Sequence, residues 1–147
     1  MMLYNQEEAD KISLFCKDVL TNLINFGSIA IPKDRIFNES RGVRIGLNFN
    51  GKIYIETIFP EVNKSLAENI VLVIEKIVKK ANLYGKDFNA DLKIFIFDFP
   101  VRILGNVVDN FQLGREGLMI NYVSYKGFLF PSKDYKDKIE FLEELCK

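Results

Sequence analysis

The sequence predicts an α+β fold, with mixed or antiparallel sheets packed against helices, and three observations carry that prediction. Two long segments repeat apolar residues with the period of one buried helical face. Several short apolar runs are bounded by glycine, proline or asparagine, as strands are. The two kinds of segment do not alternate as β-α-β-α, which argues against a parallel doubly wound sheet. At 147 residues the chain is expected to form one domain, residues 1–147, with a substantial core.

The first helix is predicted over Asn5–Phe26. Ile12, Phe15, Cys16, Val19, Leu20, Leu23 and Ile24 form its apolar stripe, Asn5 and Glu8 a capping box, and Gly27 its stop. A polar connector, Ser28–Arg41, carries Ile36 and Phe37 as anchors. Gly42–Phe59 reads as a hairpin around Asn50-Gly51. A three-residue loop would put Val43, Ile45 and Leu47 on one face with Ile53, Ile55 and Thr57, and Arg44 opposite Glu56 on the other, so hydrophobic pattern favours that register. Ser65–Leu83 is the second helix, with Ile70, Val73, Ile74, Ile77, Val78 and Ala81 inward. Leu92–Phe99 is nearly continuous in hydrophobicity, as a strand buried on both faces is, and Pro100 ends it. Residues 101–112 fit either a strand extension or a short helical turn.

Residues 113–131 read LGREGLMINYVSYKGFLFP. Gly114 and Gly117 bracket an Arg115-Glu116 turn, and Leu118–Val123 is a strand. Tyr125-Lys126-Gly127 is expected to turn the chain back into Phe128–Phe130, and Pro131 stops that strand. A last helix is expected from about Asp134, burying Tyr135, Ile139, Leu142, Leu145 and Cys146.

Composition removes several functions. The 20 basic residues balance the 20 acidic ones, whereas non-specific nucleic-acid and anionic-membrane binders carry a basic excess; neither partner is expected. No apolar run approaches the roughly 18 residues of a membrane span, and MMLYNQEEAD lacks the regions of a secretory signal. Histidine is absent, which removes Ser-His-Asp and Cys-His catalysis and histidine-containing zinc sets. Two cysteines cannot build a four-thiolate zinc site, so no metal and no cofactor is expected. Cys16 and Cys146 read as packed thiols of a reducing, cytoplasmic protein.

The run Gly114, Gly117, Leu118, Ile120, Gly127, Leu129 and Pro131 resembles the AMMECR-type domain, a family named after a chromosomal region linked to Alport syndrome, midface hypoplasia and elliptocytosis. The resemblance extends to the first helix around Phe15–Leu20, the hairpin, the second helix, the Leu92–Phe97 strand and the closing Phe141–Cys146 stretch. The chain departs from the family where its most characteristic run, Leu-Arg-Gly-Cys-Ile-Gly, would stand. That strand reads Lys52-Ile53-Tyr54-Ile55-Glu56-Thr57-Ile58 here. A Phe-Pro-Pro run is also absent near Asp87-Phe88-Asn89, and family members usually continue past the position of Lys147. The resemblance implies a divergent, shortened member with the family scaffold. It also implies association with Memo-like or radical SAM proteins, near or fused to which family members are often encoded.

The ionisable residues that could serve a site are Arg44 and Glu56 on the hairpin, Asp98 at a strand end, and Arg115 and Glu116 in the glycine-bracketed turn. Each also has a structural reading: a solvated cross-strand pair, a strand-terminating carboxylate and an exposed turn. Phe95, Phe97 and Phe99 alternate on one strand and read as core. The sequence therefore favours a non-catalytic interaction or regulatory domain with a protein partner. The alternative is a small metabolite-binding protein or enzyme using Arg44, Glu56, Asp98 or Arg115. Apolar surface left by the shortened end predicts a homodimer.

Overall fold

The computed structural model describes residues 4–86, 91–101, 103, 106–110, 113, 117–122, 125–132 and 134–146. The chain folds as α+β in two compact units, Met1–Phe99 and Pro100–Lys147.

The first unit opens with α1, Gln6–Ile24. Asn5 and Glu8 form the expected reciprocal cap: the Glu8 amide donates to Asn5 Oδ1 at 2.8 Å, and the Asn5 amide donates to Glu8 Oε1 at 3.1 Å. The left-handed residue that ends the helix is Phe26, at φ 56°, not Gly27. A one-turn helix, α2 (Arg35–Asn38), inserts Ile36 and Phe37 into the core, and the Phe37 ring meets Phe15 edge-on at 5.1 Å. Strands β1 (Gly42–Phe49) and β2 (Lys52–Ile58) make the hairpin. Next comes α3, Leu66–Ala81, capped by Ser65 at its start and closed by left-handed Asn82. Strand β3, Leu92–Phe97, pairs antiparallel with the free side of β1, giving the sheet order β2-β1-β3.

The inner face of this sheet is covered by α1 and α3. Val43, Ile45 and Leu47 of β1 supply its buried row. Every residue predicted inward on α3 is buried, together with Leu66, Ala67 and Asn69.

The hairpin register differs from the sequence-based expectation. Phe49 pairs with Lys52, Leu47 with Tyr54, Ile45 with Glu56, and Arg44 with Thr57 rather than Glu56. The cause is the turn. Asn50 (φ 53°) and Gly51 (φ 78°) are both left-handed, which makes a two-residue turn whose twist matches that of the strands. The register sends Tyr54, Glu56 and Ile58 to the helix side and leaves Ile53 and Ile55 on the outer face, 64% and 47% exposed. Glu56 is accommodated beneath α3 because Lys80 of that helix pairs with its carboxylate. β3 also departs from expectation. As an edge strand it has no fully buried residue: Phe95 and Phe97 are half-buried on the outer face, and Phe99 beyond it is exposed.

In the second unit a short 3-10 turn, Val108–Asn110, precedes strands β4 (Leu118–Tyr122) and β5 (Tyr125–Leu129). Tyr125, Lys126 and Gly127 are strand residues, not the turn: Tyr122 pairs with Tyr125, and Ile120 with Gly127. Residues 123 and 124 lie outside the described set. Helix α4, Lys138–Leu145, is capped by Asp137 and packs on this hairpin. Its buried residues are Phe141 and Leu145, whereas Ile139 is exposed and Cys146 lies exposed at the C-cap. The buried face thus differs from the expected stripe, sharing Leu145 with it and adding Phe141, which meets Tyr135 edge-on at 5.1 Å.

Gly117 shows why the glycine–proline run needs its spacing. A Cβ there would lie 2.5 Å from the Leu129 carbonyl oxygen and 3.2 Å from Pro131 Cδ, so the start of β4 and the end of β5 approach too closely for a side chain. Gly117→Ala is expected to destabilise the second unit by about 1–3 kcal/mol, read from denaturant unfolding. An unchanged midpoint would show that the two strand ends separate without cost.

Candidate functional site

Three places in the first unit bring polar or exposed apolar groups together. The first is the outer face of the sheet. Strand parity puts Gly42, Arg44, Gly46 and Asn48 of β1 there, with Ile53, Ile55 and Thr57 of β2 and Lys93, Phe95 and Phe97 of β3. Gly42 is bare for a reason: a Cβ would lie 2.5 Å from the Phe97 ring and 2.8 Å from Pro60. Phe97 in turn meets Phe59 edge-on at 5.4 Å. The ammonium of Lys93 lies 5.7 Å from the centre of the Phe95 ring, within cation–π range. The strand residues of this face are thus apolar, neutral polar (Asn48, Thr57) or basic, and none is acidic.

The second place is centred on Arg41, which the sequence reading passed over. The Arg41 guanidinium donates to Glu39 at 3.2 Å and to Asp98 at 3.0 Å, and its side chain is only 20% exposed. Asp98 also accepts from the Phe99 amide at 2.7 Å, so the carboxylate closes the end of β3 and ties it to the loop before β1. Asn69, fully buried on α3, donates to the Arg41 carbonyl at 2.8 Å. The Tyr4 phenol sits beside the guanidinium, and burial pushes its pKa up despite that positive neighbour. Among the described residues, Arg41 Nε and Asn69 Oδ1 are buried with no hydrogen-bond partner. Charge balance here is already negative, one guanidinium against two carboxylates. The cluster suits internal bracing better than capture of an anion.

The third place is a solvent-open hollow lined by Glu8, Lys11, Asp34, Arg35, Ile36 and Glu39. Its charges pair with one another: Lys11 with Asp34 at 2.8 Å, and Arg35 with Glu39 at 3.5 Å. The Lys11 contact holds the Asp34 carboxyl below its usual range and raises the lysine in turn.

The sequence-predicted ionisable residues do not converge. Arg44 lies on the outer face, Glu56 on the inner face against Lys80, and Asp98 beyond the end of β3 with Arg41. Arg115, Glu116 and Gly114 lie outside the described residues. Arg41 and Asn69 could have been suspected from sequence only weakly: Asn69 interrupts the apolar stripe of α3 one residue before Ile70. Among the described residues no group of three acidic, cysteine or histidine side chains could hold a metal, and no helix is long and apolar enough to cross a membrane.

The two thiols differ. Cys16 is fully buried, and burial pushes its pKa from 9.0 up to about 12, whereas Cys146 is exposed, contrary to the expectation that both are packed. Against this geometry, no protein-family model matches the chain, and a comparison with curated proteins likewise finds no match. The fold is that of a small α+β protein whose described sheet residues include exposed Ile53 and Ile55 on the outer face.

Two outcomes test this description. Asn69→Ala leaves the Arg41 carbonyl without its donor and is expected to cost about 1–3 kcal/mol in urea unfolding; an unperturbed midpoint would mean that the amide braces nothing. Cys16 binds its proton more tightly folded than unfolded. Its stabilisation is complete below about pH 9 and is lost as pH rises toward about 12. The stability gap between wild type and Cys16→Ala should therefore narrow across that window. A constant gap would contradict the burial of the thiol.

Proposed function

We propose that the chain is a divergent AMMECR-like interaction or regulatory domain, which works by docking a protein partner on the outer face of the β2-β1-β3 sheet rather than by turning over a substrate. The observation that carries this reading is that face itself. Ile53 and Ile55 are exposed on one edge strand, Phe95 and Phe97 are half-buried on the other, and Gly46 and Arg44 of β1 lie between them, with Lys93 on the β3 side. Apolar side chains held on a sheet and interspersed with basic residues suit a partner surface that is apolar and carries acidic groups. The separation of Arg44, Glu56 and Asp98 supports the same reading, because general acid–base chemistry needs its groups within reach of one reacting atom. The resemblance nominates Memo-like and radical SAM proteins as the first partners to test, in a cytoplasmic setting.

The test uses gentle affinity capture from the protein's own cells followed by native mass spectrometry. Wild type and Lys17→Glu, a change on the exposed side of α1, should retain a companion protein at fixed stoichiometry. Phe95→Ala and Lys93→Glu should lose it by about tenfold or more. A bound small molecule with no protein companion would overturn the reading, as would a companion indifferent to both outer-face changes.

A further inference from the structure

The outer edge of β2 is a second feature of the hairpin, distinct from its face. β2 pairs with β1 over seven unbroken positions, and among the described residues no strand lies along its other side. Natural edge strands are usually shortened, bulged or interrupted by proline, since a free row of backbone groups recruits other strands. From Ile53 to Ile58 this edge has no bulge, no proline and no shortening; its one inward charge, Glu56, is paired with Lys80, and Pro60 comes only after the strand has ended.

Backbone geometry fixes what the edge offers. Residues flanking a two-residue turn exchange both backbone hydrogen bonds, so Phe49 bonds with Lys52, and the alternation makes Leu47–Tyr54 and Ile45–Glu56 bonded pairs as well. The N–H and C=O groups of Ile53, Ile55 and Thr57 then point away from β1, toward the free edge. Any strand added there bonds to those residues.

We propose that this edge pairs antiparallel with β2 of a second copy about a two-fold axis at Tyr54. The inference rests on the interaction-domain reading and names one partner as the chain itself. The register follows from the sequence of the strand. With Tyr54 opposite its own counterpart, Ile53 falls opposite Ile55 and Lys52 opposite Glu56, each pair occurring twice. The outward-pointing residues Ile53 and Ile55 become the hydrogen-bonded pairs, as an added antiparallel strand requires. On the outer face the exposed isoleucines cover one another; on the helix side an aromatic pair is flanked twice by Lys52 opposite Glu56, whose carboxylate Lys80 of its own chain already holds. Lys52 already leans on Tyr54, its ammonium 5.1 Å from the ring centre, and so stands on the correct face. Centring the axis on Ile55 instead would oppose Lys52 to Ile58 and leave the charges unmatched. The product is one six-stranded sheet with two outer faces made continuous, an isologous dimer closed by its own symmetry.

Sedimentation of the intact chain from about 1 μM to about 1 mM tests the pairing, a range that spans weak to firm self-association. Wild type is expected to pass from monomer to dimer. Ile55→Pro removes an N–H that pairs with no described strand of the monomer, so the fold should survive by circular dichroism while self-association weakens by about a hundredfold. Lys52→Glu, which sets like charges opposite each other, should weaken it by about tenfold at low salt. The register is read by disulfide trapping in a Cys146→Ser background, which removes the exposed thiol: Tyr54→Cys should cross-link under mild oxidation faster than Ile55→Cys. A monomer at every concentration, a dimer insensitive to Ile55→Pro and Lys52→Glu, or faster trapping at position 55 would each overturn the proposal. A strictly monomeric protein that still captures a companion through Phe95 and Lys93 would sink the strand pairing while leaving the interaction-domain reading in place.

Discussion

Val43, Ile45 and Leu47 sit between the helices and their own sheet at 1% exposure or less, and the arrangement of the first unit follows from keeping them dry. β1 is the central strand, so its inner row needs cover along its full length. α3 supplies most of that cover, with α1 packed beside it, and α2 plugs Ile36 and Phe37 into the same cluster. Because β1 has a strand on each side, every residue of its outer row is also fixed in place. Gly42 and Gly46 keep that outer row low, and the aromatic rings of β3 and Phe59 lie over it. Truncating any of the three inner residues to alanine belongs to the costliest class of core change, about 2–5 kcal/mol.

Two local devices translate that core into surface chemistry. One is the Asn50-Gly51 turn. Its two left-handed residues set the β1–β2 register, and the register decides which side chains of β2 face water. The other is the Arg41 brace, which joins the loop before β1 to the end of β3 through Asp98 and to α3 through Asn69. The brace immobilises the strand that carries Phe95 and Phe97. Polar clusters inside a protein are costly unless satisfied, and the Arg41 cluster is held by its contacts to Glu39, Asp98 and Asn69.

Local signals were read well from sequence where one physical effect dominated. The α1 capping box and the apolar stripes of α1 and α3 needed only helical periodicity and short-range hydrogen bonding. The hairpin was harder because two effects competed. Hydrophobic pattern favoured a three-residue loop that would have placed Ile53 and Ile55 inward, whereas turn geometry favoured Asn-Gly as a two-residue turn. Turn geometry won because the inner face of β2, on which α3 packs, accommodates half-buried Tyr54 and a Glu56 paired with Lys80. Hydrophobic pattern alone does not mark a strand as an edge, and the same gap explains why Leu92–Phe99 reads as a strand buried on both faces. Arg41 and Asn69 were invisible for a different reason. They lie 28 positions apart and meet only once α3 has packed on the sheet. Asp98 was recognised as a strand end, but its partner was not.

The consequence of the register is a strand whose apolar side chains and free backbone groups both face outward at the rim of a rigid sheet. Residue-resolved amide hydrogen exchange on β2, in dilute and in concentrated protein, tests that central claim most directly. Tyr54 and Glu56 should exchange slowly at both concentrations, because their amides bond to β1. Ile53 and Ile55 should exchange fast when dilute and slow when concentrated, as the free edge finds its partner. Slow exchange at Ile53 and Ile55 with fast exchange at Tyr54 in dilute protein would contradict the account, because it would place the hairpin in the other register.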